Sequence, residues 1–202
     1  MDTAQHWQRT YDTKGVDEVS WYQTDPAVSL RLLTAAGLTP ASRVLDVGGG
    51  ASVLADRLLD AGIGDVTVLD IADSALSAAR TRLGERAGAV TWLVRDVLAW
   101  NPEPRYDLWH DRAVFHFLTD PADRDRYRRV LAAGLAPGGH VVIGTFAADG
   151  PQSCSGLPVA RYDADQLAAQ FPGFEPIESA REEHHTPWDS VQPFTWLVLR
   201  RR

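Results

Sequence analysis

Four aspartates stand where the sequence predicts that buried strands end. Asp46, Asp70 and Asp96 fall at the end of short apolar runs or directly after them, and Asp111 closes a fourth run. Ligands of open α/β sheets bind outside the carboxyl ends of the strands, so side chains at these positions enter the binding crevice. Taken singly, each acid is equally well explained as a helix cap or a turn residue. Together, and with Asp70 placed to accept hydrogen bonds from ribose hydroxyls, they indicate a nucleoside-like ligand.

A glycine-rich loop follows the first of these strands. Gly48, Gly49 and Gly50 separate the apolar run 44–47 from a helical pattern, an arrangement that brings free backbone N–H groups and the positive end of a helix dipole to one place. The dinucleotide pattern G-x-G-x-x-G requires a third glycine where this chain has Val53, and the G-K-S/T of a phosphate-binding loop is absent. The loop therefore favours an adenosine ligand without phosphates.

Strands and helices alternate along most of the chain, which predicts right-handed crossovers and a parallel sheet covered on both faces. We expect an α/β fold, a Rossmann-like three-layer sandwich with a mostly parallel seven-stranded sheet and a C-terminal antiparallel hairpin. One domain is expected, with 1–38 as an arm and helix, 39–146 as the ligand-binding core and 147–202 on the substrate side. The predicted strands are near 44–47, 66–70, 90–94, 106–111, 140–146, 174–183 and 194–200, and Pro102 and Pro104 predict a loop.

Composition argues against several classes of partner. The net charge of −7 provides no basic surface for nucleic acid or an anionic membrane. No apolar run approaches the length of a membrane span, and the first residues lack the basic-then-apolar order of a signal peptide. Cys154 is the single cysteine, which excludes an internal disulfide and suits the cytoplasm, and the histidines lack metal-ligand spacing.

The ordered set of motifs resembles the class I S-adenosylmethionine-dependent methyltransferases. The segment 44–52 resembles their first motif, 68–70 their acidic second motif, 95–97 their adenine-side motif and 135–141 the turn before their fifth strand. Ser52 stands where the first motif usually has its third glycine. The resemblance implies that S-adenosylmethionine is held by Asp46, Gly48, Gly50, Asp70, Ile71, Asp96 and Val97.

The amino-terminal segment resembles a more specific subgroup. Trp7-x-x-x-Tyr11, followed by Trp21-Tyr22, resembles methyltransferases that include lysine methyltransferases, in which this arm folds over the cofactor. The segment 109–113 resembles the D-R/K-G motif shared by that subgroup and thiopurine-type small-molecule methyltransferases, with alanine in place of glycine. The resemblance implies that Trp7, Tyr11 and Trp21 contact the cofactor, and it leaves the acceptor divided between protein lysine and small molecules.

Methyl transfer from a sulfonium needs in-line alignment above all, and an acceptor that loses a proton also needs a base with a pKa near neutrality. His116 is the first candidate, with Asp111 and Arg112 beside it facing the acceptor; the alternative is a buried structural histidine. Because neighbouring residues on extended chain point to opposite sides, at most one of His184 and His185 faces the crevice. Residues predicted on the substrate side are Tyr22, His184, His185 and Trp188.

These observations support a methyltransferase that acts on a nitrogen, oxygen or sulfur atom of a small molecule. Two alternatives stay open: a protein lysine methyltransferase, and a non-catalytic protein that binds S-adenosylmethionine for regulation. The expected partner is the methyl acceptor, with no nucleic acid, membrane or metal, and the chain is expected to be a monomer or a homodimer.

Overall fold

The computed structural model describes residues 3–103 and 106–202, and it has the predicted α/β architecture. Pro104, which was expected in a loop, lies outside the described residues. Short 3-10 turns span Gly84–Ala89, Val97–Ala99 and Phe115–Phe117. The helices are α1 (Thr3–Thr13), α2 (Ala27–Ala35), α3 (Leu54–Asp60), α4 (Asp73–Leu83), α5 (Pro121–Gly134) and α6 (Ala164–Ala168). The strands are β1 (Arg43–Val47), β2 (Asp65–Asp70), β3 (Val90–Val94), β4 (Tyr106–Arg112), β5 (Leu135–Phe146), β6 (Ser153–Cys154), β7 (Leu157–Pro158), β8 (Phe174–His185) and β9 (Val191–Arg201).

The main sheet has seven strands in the order β3-β2-β1-β4-β5-β9-β8. Strands β1 to β5 pair in parallel, whereas β9 is antiparallel to both β5 and β8. The predicted parallel sheet and C-terminal antiparallel hairpin are therefore confirmed. Because the strand order reverses between β1 and β4, the loop after β1 lies at the topological switch point, where open sheets bind ligands.

Helices cover both faces of the sheet because successive residues of each strand point to opposite sides. On one face, Val44 of β1 packs in a cluster with Leu33 of α2, Leu58 of α3 and Leu76 of α4. On the other face, Leu45 belongs to a cluster with residues of α5 and α6, including Leu131 and Leu167. This gives the predicted three layers. Within 3–103 and 106–202, no helix is both long and apolar enough to cross a membrane.

A tight turn leads from β4 into the 3-10 turn at 115–117, and the carboxylate of Asp111 holds it. Asp111 accepts hydrogen bonds from the backbone N–H groups of Val114 at 2.9 Å and Phe115 at 3.2 Å, and from the Tyr127 hydroxyl at 2.6 Å. Burial raises the pKa of Asp111 to about 6, although these three donors oppose the shift. Ala113 adopts φ 70° in this turn, a left-handed conformation that strains any residue with a Cβ.

We predict that Ala113→Gly stabilises the protein. Removing the Cβ relieves a left-handed strain of about 1–2 kcal/mol, partly offset by the greater freedom of glycine in the unfolded chain. The net gain should be about 1 kcal/mol, seen as a rise of about 2–4 °C in Tm by calorimetry.

The matched control is Ala61→Gly, at an exposed helix C-cap with an ordinary φ of −79°. That change should lower Tm, because it only loosens the unfolded chain. If Ala113→Gly lowers Tm as the control does, the turn at 113 is not strained.

Candidate functional site

A cavity of about 240 Å³ lies at the carboxyl ends of the parallel strands. Its walls come from the loop after β1, the ends of β2, β3 and β4, and the amino-terminal arm. Nine residues that the sequence assigned to the cofactor or the acceptor line it: Trp7, Tyr11, Trp21, Gly48, Asp70, Ile71, Asp96, Val97 and Arg112. A smaller cavity of about 60 Å³ adjoins it, and Tyr11, Trp21, Gly48 and Arg112 line both.

The loop after β1 requires glycine at two positions. Gly48 has φ +64°, and a Cβ there would lie 2.1 Å from Cγ2 of Val114. Gly50 has φ +48°, and a Cβ there would lie 3.0 Å from the Tyr11 hydroxyl and 3.1 Å from Oδ2 of Asp70. The loop backbone therefore approaches the neighbouring walls more closely than any other residue type permits.

Asp70 is the carboxylate best suited to receive a ligand. It is 7% exposed, and its Oδ1 accepts a hydrogen bond from the backbone N–H of Ala72 at 2.8 Å. Burial, together with the nearby charge of Asp46, raises the pKa of Asp70 to about 7, although backbone donors at Ala72, Ile71 and Gly50 oppose the shift. No cationic side chain among the described residues pairs with Asp70, so donors from a bound ligand would complete its hydrogen bonding.

Asp96 and Val97 form the wall at the end of β3. Oδ1 of Asp96 accepts a hydrogen bond from the Leu98 N–H at 2.8 Å and so begins the 3-10 turn at 97–99. Val97 is buried in this turn and lines the main cavity. The sequence left open whether Asp96 is a cap residue or a residue of the binding crevice. In the structure it is both, since it caps a turn and also borders the cavity.

Asp46 faces away from the main cavity and into the fold. Its Oδ1 accepts a hydrogen bond from Nδ1 of His110 at 2.7 Å, and Nε2 of His110 lies 2.9 Å from the hydroxyl of Ser29. Its Oδ2 lies beneath the glycine loop, only 2.4 Å from where a Cβ on Gly49 would be. Asp46 borders the smaller cavity, and it joins the loop to β4 and α2.

The arm closes over the main cavity with aromatic side chains. Trp7 and Tyr11 both lie on α1, as their spacing predicts, and Nε1 of Trp21 donates a hydrogen bond to the Tyr11 hydroxyl at 3.0 Å. The Trp7 ring packs edge-on against Trp21 and Phe117, with centroids 5.6 Å and 5.1 Å apart. Burial and the nearby Asp70 raise the pKa of Tyr11, so its hydroxyl stays protonated.

Two residues expected to face the acceptor are instead buried in the core. His116 is 0% exposed and packs against Phe146, and burial beside Arg112 lowers its pKa to about 3. The expected position of His116 at the mouth of β4 is wrong, because the chain turns inward at 115–117. The expectation that Asp111 faces the acceptor is also wrong, because Asp111 is 0% exposed and its oxygens accept the hydrogen bonds that hold that turn.

The remaining substrate-side candidates lie outside both cavities, except Tyr22, which borders the smaller one. His184 is buried and its Nε2 donates to the Ser20 carbonyl at 2.6 Å, whereas its neighbour His185 is exposed. The two histidines thus point to opposite sides, as predicted. Trp188 is 59% exposed in the loop between β8 and β9.

Sequence reasoning missed several residues of the main cavity. Val114 and Phe117 lie soon after Arg112 in the sequence, so their closeness to the end of β4 could have predicted that they line the cavity. Cys154 comes from a loop read as irregular, and the β6–β7 hairpin brings it to the cavity. Further lining residues that were not predicted are Thr3, Val47, Leu69, Arg95, Leu98, Ala113, Leu118 and Asp123.

Comparison with known proteins places this site in context. Residues 44–139 match the family model described as a methyltransferase domain. Nodulation protein S of Rhizobium tropici is 31% identical over 114 residues, which cover 56% of this chain and 47% of that protein. The chain spans about half the length of the curated relatives it matches.

Two solved structures share the fold across nearly the whole chain. One is the N-methyltransferase NodS from Bradyrhizobium japonicum WM9 in complex with S-adenosylhomocysteine, with a TM-score of 0.75, 18% identity and 99% coverage of both chains. The other is a Burkholderia thailandensis 1,6-didemethyltoxoflavin-N1-methyltransferase, with a TM-score of 0.71, 20% identity and coverage of 98% and 84%. Residues 44–139 thus match a methyltransferase domain, and the strand order and ordered motifs of the chain are similar to those of the class I S-adenosylmethionine-dependent methyltransferases.

Proposed function

We propose that the protein transfers a methyl group from S-adenosylmethionine to a nitrogen, oxygen or sulfur atom of a small molecule. The observation that carries this proposal is the cavity itself, in which the buried Asp70, the glycine loop and the aromatic arm surround one space. The bound 1,6-didemethyltoxoflavin of the Burkholderia thailandensis enzyme is a small molecule, which supports this class of acceptor.

The residues present fit the cofactor. Asp70 would accept hydrogen bonds from the ribose hydroxyls, and Ile71, Asp96 and Val97 would border the adenine. Gly48 and Gly50 leave room for a ligand against the main chain. When bound, S-adenosylmethionine supplies an electrophilic methyl group on a sulfonium whose charge disappears in the transition state.

The chain contributes orientation and exclusion of water. Trp7, Tyr11 and Trp21 cover the cavity, and aromatic rings also attract a nearby cation. The buried His116, with its pKa lowered to about 3, remains neutral and does not line the cavity. We therefore assign the rate enhancement to alignment, and we do not assign a general base to His116.

Protein lysine methylation is the second candidate, and a surface groove favours it. Tyr22 and His185 line this groove together with the acids Asp25, Glu182 and Glu183, which would attract a cationic side chain. The aromatic arm favours the small molecule instead, because it covers the cavity and leaves the acceptor to fit beneath it. We further propose one domain, acting as a monomer or homodimer in the cytoplasm, where the free thiol of Cys154 stays reduced.

Replacing Asp70 by alanine should abolish measurable cofactor binding. Loss of charge-assisted hydrogen bonds to the ribose costs about 3 kcal/mol, or about a hundredfold in affinity. Calorimetry with S-adenosylhomocysteine measures this. Asp73→Ala, an exposed acid three residues away, is the matched control and should bind like wild type. Undiminished affinity in Asp70→Ala would remove the assignment of the cavity to the cofactor.

Binding of S-adenosylhomocysteine should depend on pH through Asp70. Its pKa of about 7 in the free protein means that the carboxylate is ionised above pH 7 and protonated below it. Ribose hydroxyls donate best to the ionised form, so the affinity should be constant above pH 7 and approach a tenfold loss per unit below it. Titrations from pH 5.5 to 8.5 test this, with Asp70→Asn as the control whose affinity should be weak and flat across the range.

The class of acceptor can be read from a labelling experiment in cell lysate. With tritiated S-adenosylmethionine and the purified protein, label should enter the low-mass fraction. Label in a discrete protein band would favour the lysine candidate instead. The Asp70→Ala protein is the blank, and uptake in neither fraction despite tight cofactor binding would favour a non-catalytic, regulatory protein.

A further inference from the structure

Arg112 stands between the two cavities at the carboxyl end of β4, and its guanidinium group is held in place on two sides. Its Nη1 donates a hydrogen bond to the backbone carbonyl of Trp21 at 3.0 Å. Its Cζ lies over the ring of Phe194, 4.7 Å from the ring centroid. These contacts, one from the arm and one from β9, fix the direction in which the rest of the guanidinium points.

The remaining edge of the guanidinium has no partner. Nε and Nη2 are sealed from solvent, and within 3–103 and 106–202 nothing accepts a hydrogen bond from either atom. On an arginine, the Nε–H and one Nη2–H point in the same direction and form the fork that matches the two oxygens of a carboxylate. A buried cationic fork left unpaired is costly, so its position next to two cavities calls for an anion.

The nearby carboxylates are engaged elsewhere. Glu182 accepts hydrogen bonds from Nε2 of Gln23 and from Nε1 of Trp196, both at 2.8 Å. Asp46 accepts from His110. Both acids lie close enough to act on Arg112 through their charge, yet neither forms an ion pair with it among the described residues. A partner for the fork would therefore have to come from a molecule that enters the cavities that Arg112 borders.

We propose that the Nε–Nη2 edge of Arg112 binds a carboxylate of a bound ligand. The proposal rests on the proposed function, because it concerns what occupies the same cavity. Arg112 contacts β9 and the arm, on the opposite side of the switch point from Asp70 at the end of β2 and Asp96 after β3. This position makes the acceptor the favoured source, so the substrate is a small carboxylic acid. The other source of the same chemistry is the amino-acid carboxylate of the cofactor.

The test compares wild type with Arg112→Lys, which keeps the charge and loses the fork. Each protein is saturated with S-adenosylhomocysteine and titrated with acetate, benzoate and 3-phenylpropionate, each paired with its neutral amide, by following tryptophan fluorescence. Wild type should bind at least one acid more than tenfold tighter than its amide, and Arg112→Lys should lose that preference. Arg161→Lys is the matched control, because Arg161 also donates to a backbone carbonyl but lies outside both cavities.

A second arm separates the two sources. The affinities of S-adenosylhomocysteine and of 5′-deoxy-5′-methylthioadenosine, which lacks the amino-acid group, are measured for each variant. If the fork binds the cofactor, Arg112→Lys weakens the first ligand at least tenfold and leaves the second unchanged. If the fork binds the acceptor, both affinities are unchanged and only the acid preference is lost.

The proposal is overturned if wild type shows no preference for any acid over its amide and Arg112→Lys keeps its affinity for S-adenosylhomocysteine. Retained binding of 5′-deoxy-5′-methylthioadenosine by Arg112→Lys shows that the variant is folded. Failure of the proposed function is a different result, because wild type would then bind neither adenosine ligand.

Discussion

The buried hydrogen-bond chain from Asp46 through His110 to Ser29 is the constraint on which the rest of the site depends. It joins β1, β4 and α2 at the topological switch point, and it is fully screened from solvent. Low dielectric strengthens such a chain and makes an unpaired member costly, so its geometry is closely defined. Asp46 also lies directly beneath Gly49, so this hydrogen-bond chain supports the glycine loop from below. The next residue of the loop, Gly50, packs closely against Tyr11 and Asp70.

The acids at the strand ends share a position in the sheet but differ in role. Asp46 and Asp111 point inward and organise backbone, whereas Asp70 borders the main cavity, pairs with no cation among the described residues, and carries a pKa raised to about 7 by burial. Asp96 lies between these cases, with one oxygen committed to a turn. The difference follows position along the strand: Asp70 is the last residue of β2, whereas Asp46 and Asp111 each lie one residue inside the end of their strands.

The fold was predictable from the sequence because periodicity and turn residues agree along the whole chain. Apolar runs, the glycines after β1 and the helical patterns all favour one topology, and every predicted strand is present. The cavity wall at the ends of β2 and β3 was predictable for the same reason, because Asp70 and Val97 follow directly from where strands end.

The acceptor side was harder to predict because it depends on tertiary packing. His116 was misplaced because nothing local marks the inward 3-10 turn that Asp111 and Tyr127 stabilise. Cys154 reaches the cavity through a two-residue hairpin that has no periodic signal. The subgroup suggested by the arm remains a prediction, although its aromatic residues do lie on the cavity.

Trp21 keeps the arm in place through its indole N–H and its backbone carbonyl. Its indole N–H is bonded to Tyr11, next to the glycine loop, and its carbonyl is bonded to Arg112, next to β9. One residue thus joins the amino-terminal arm at Tyr11 to the end of β4 at Arg112. A shift of Trp21 would consequently be transmitted to both walls of the cavity at once.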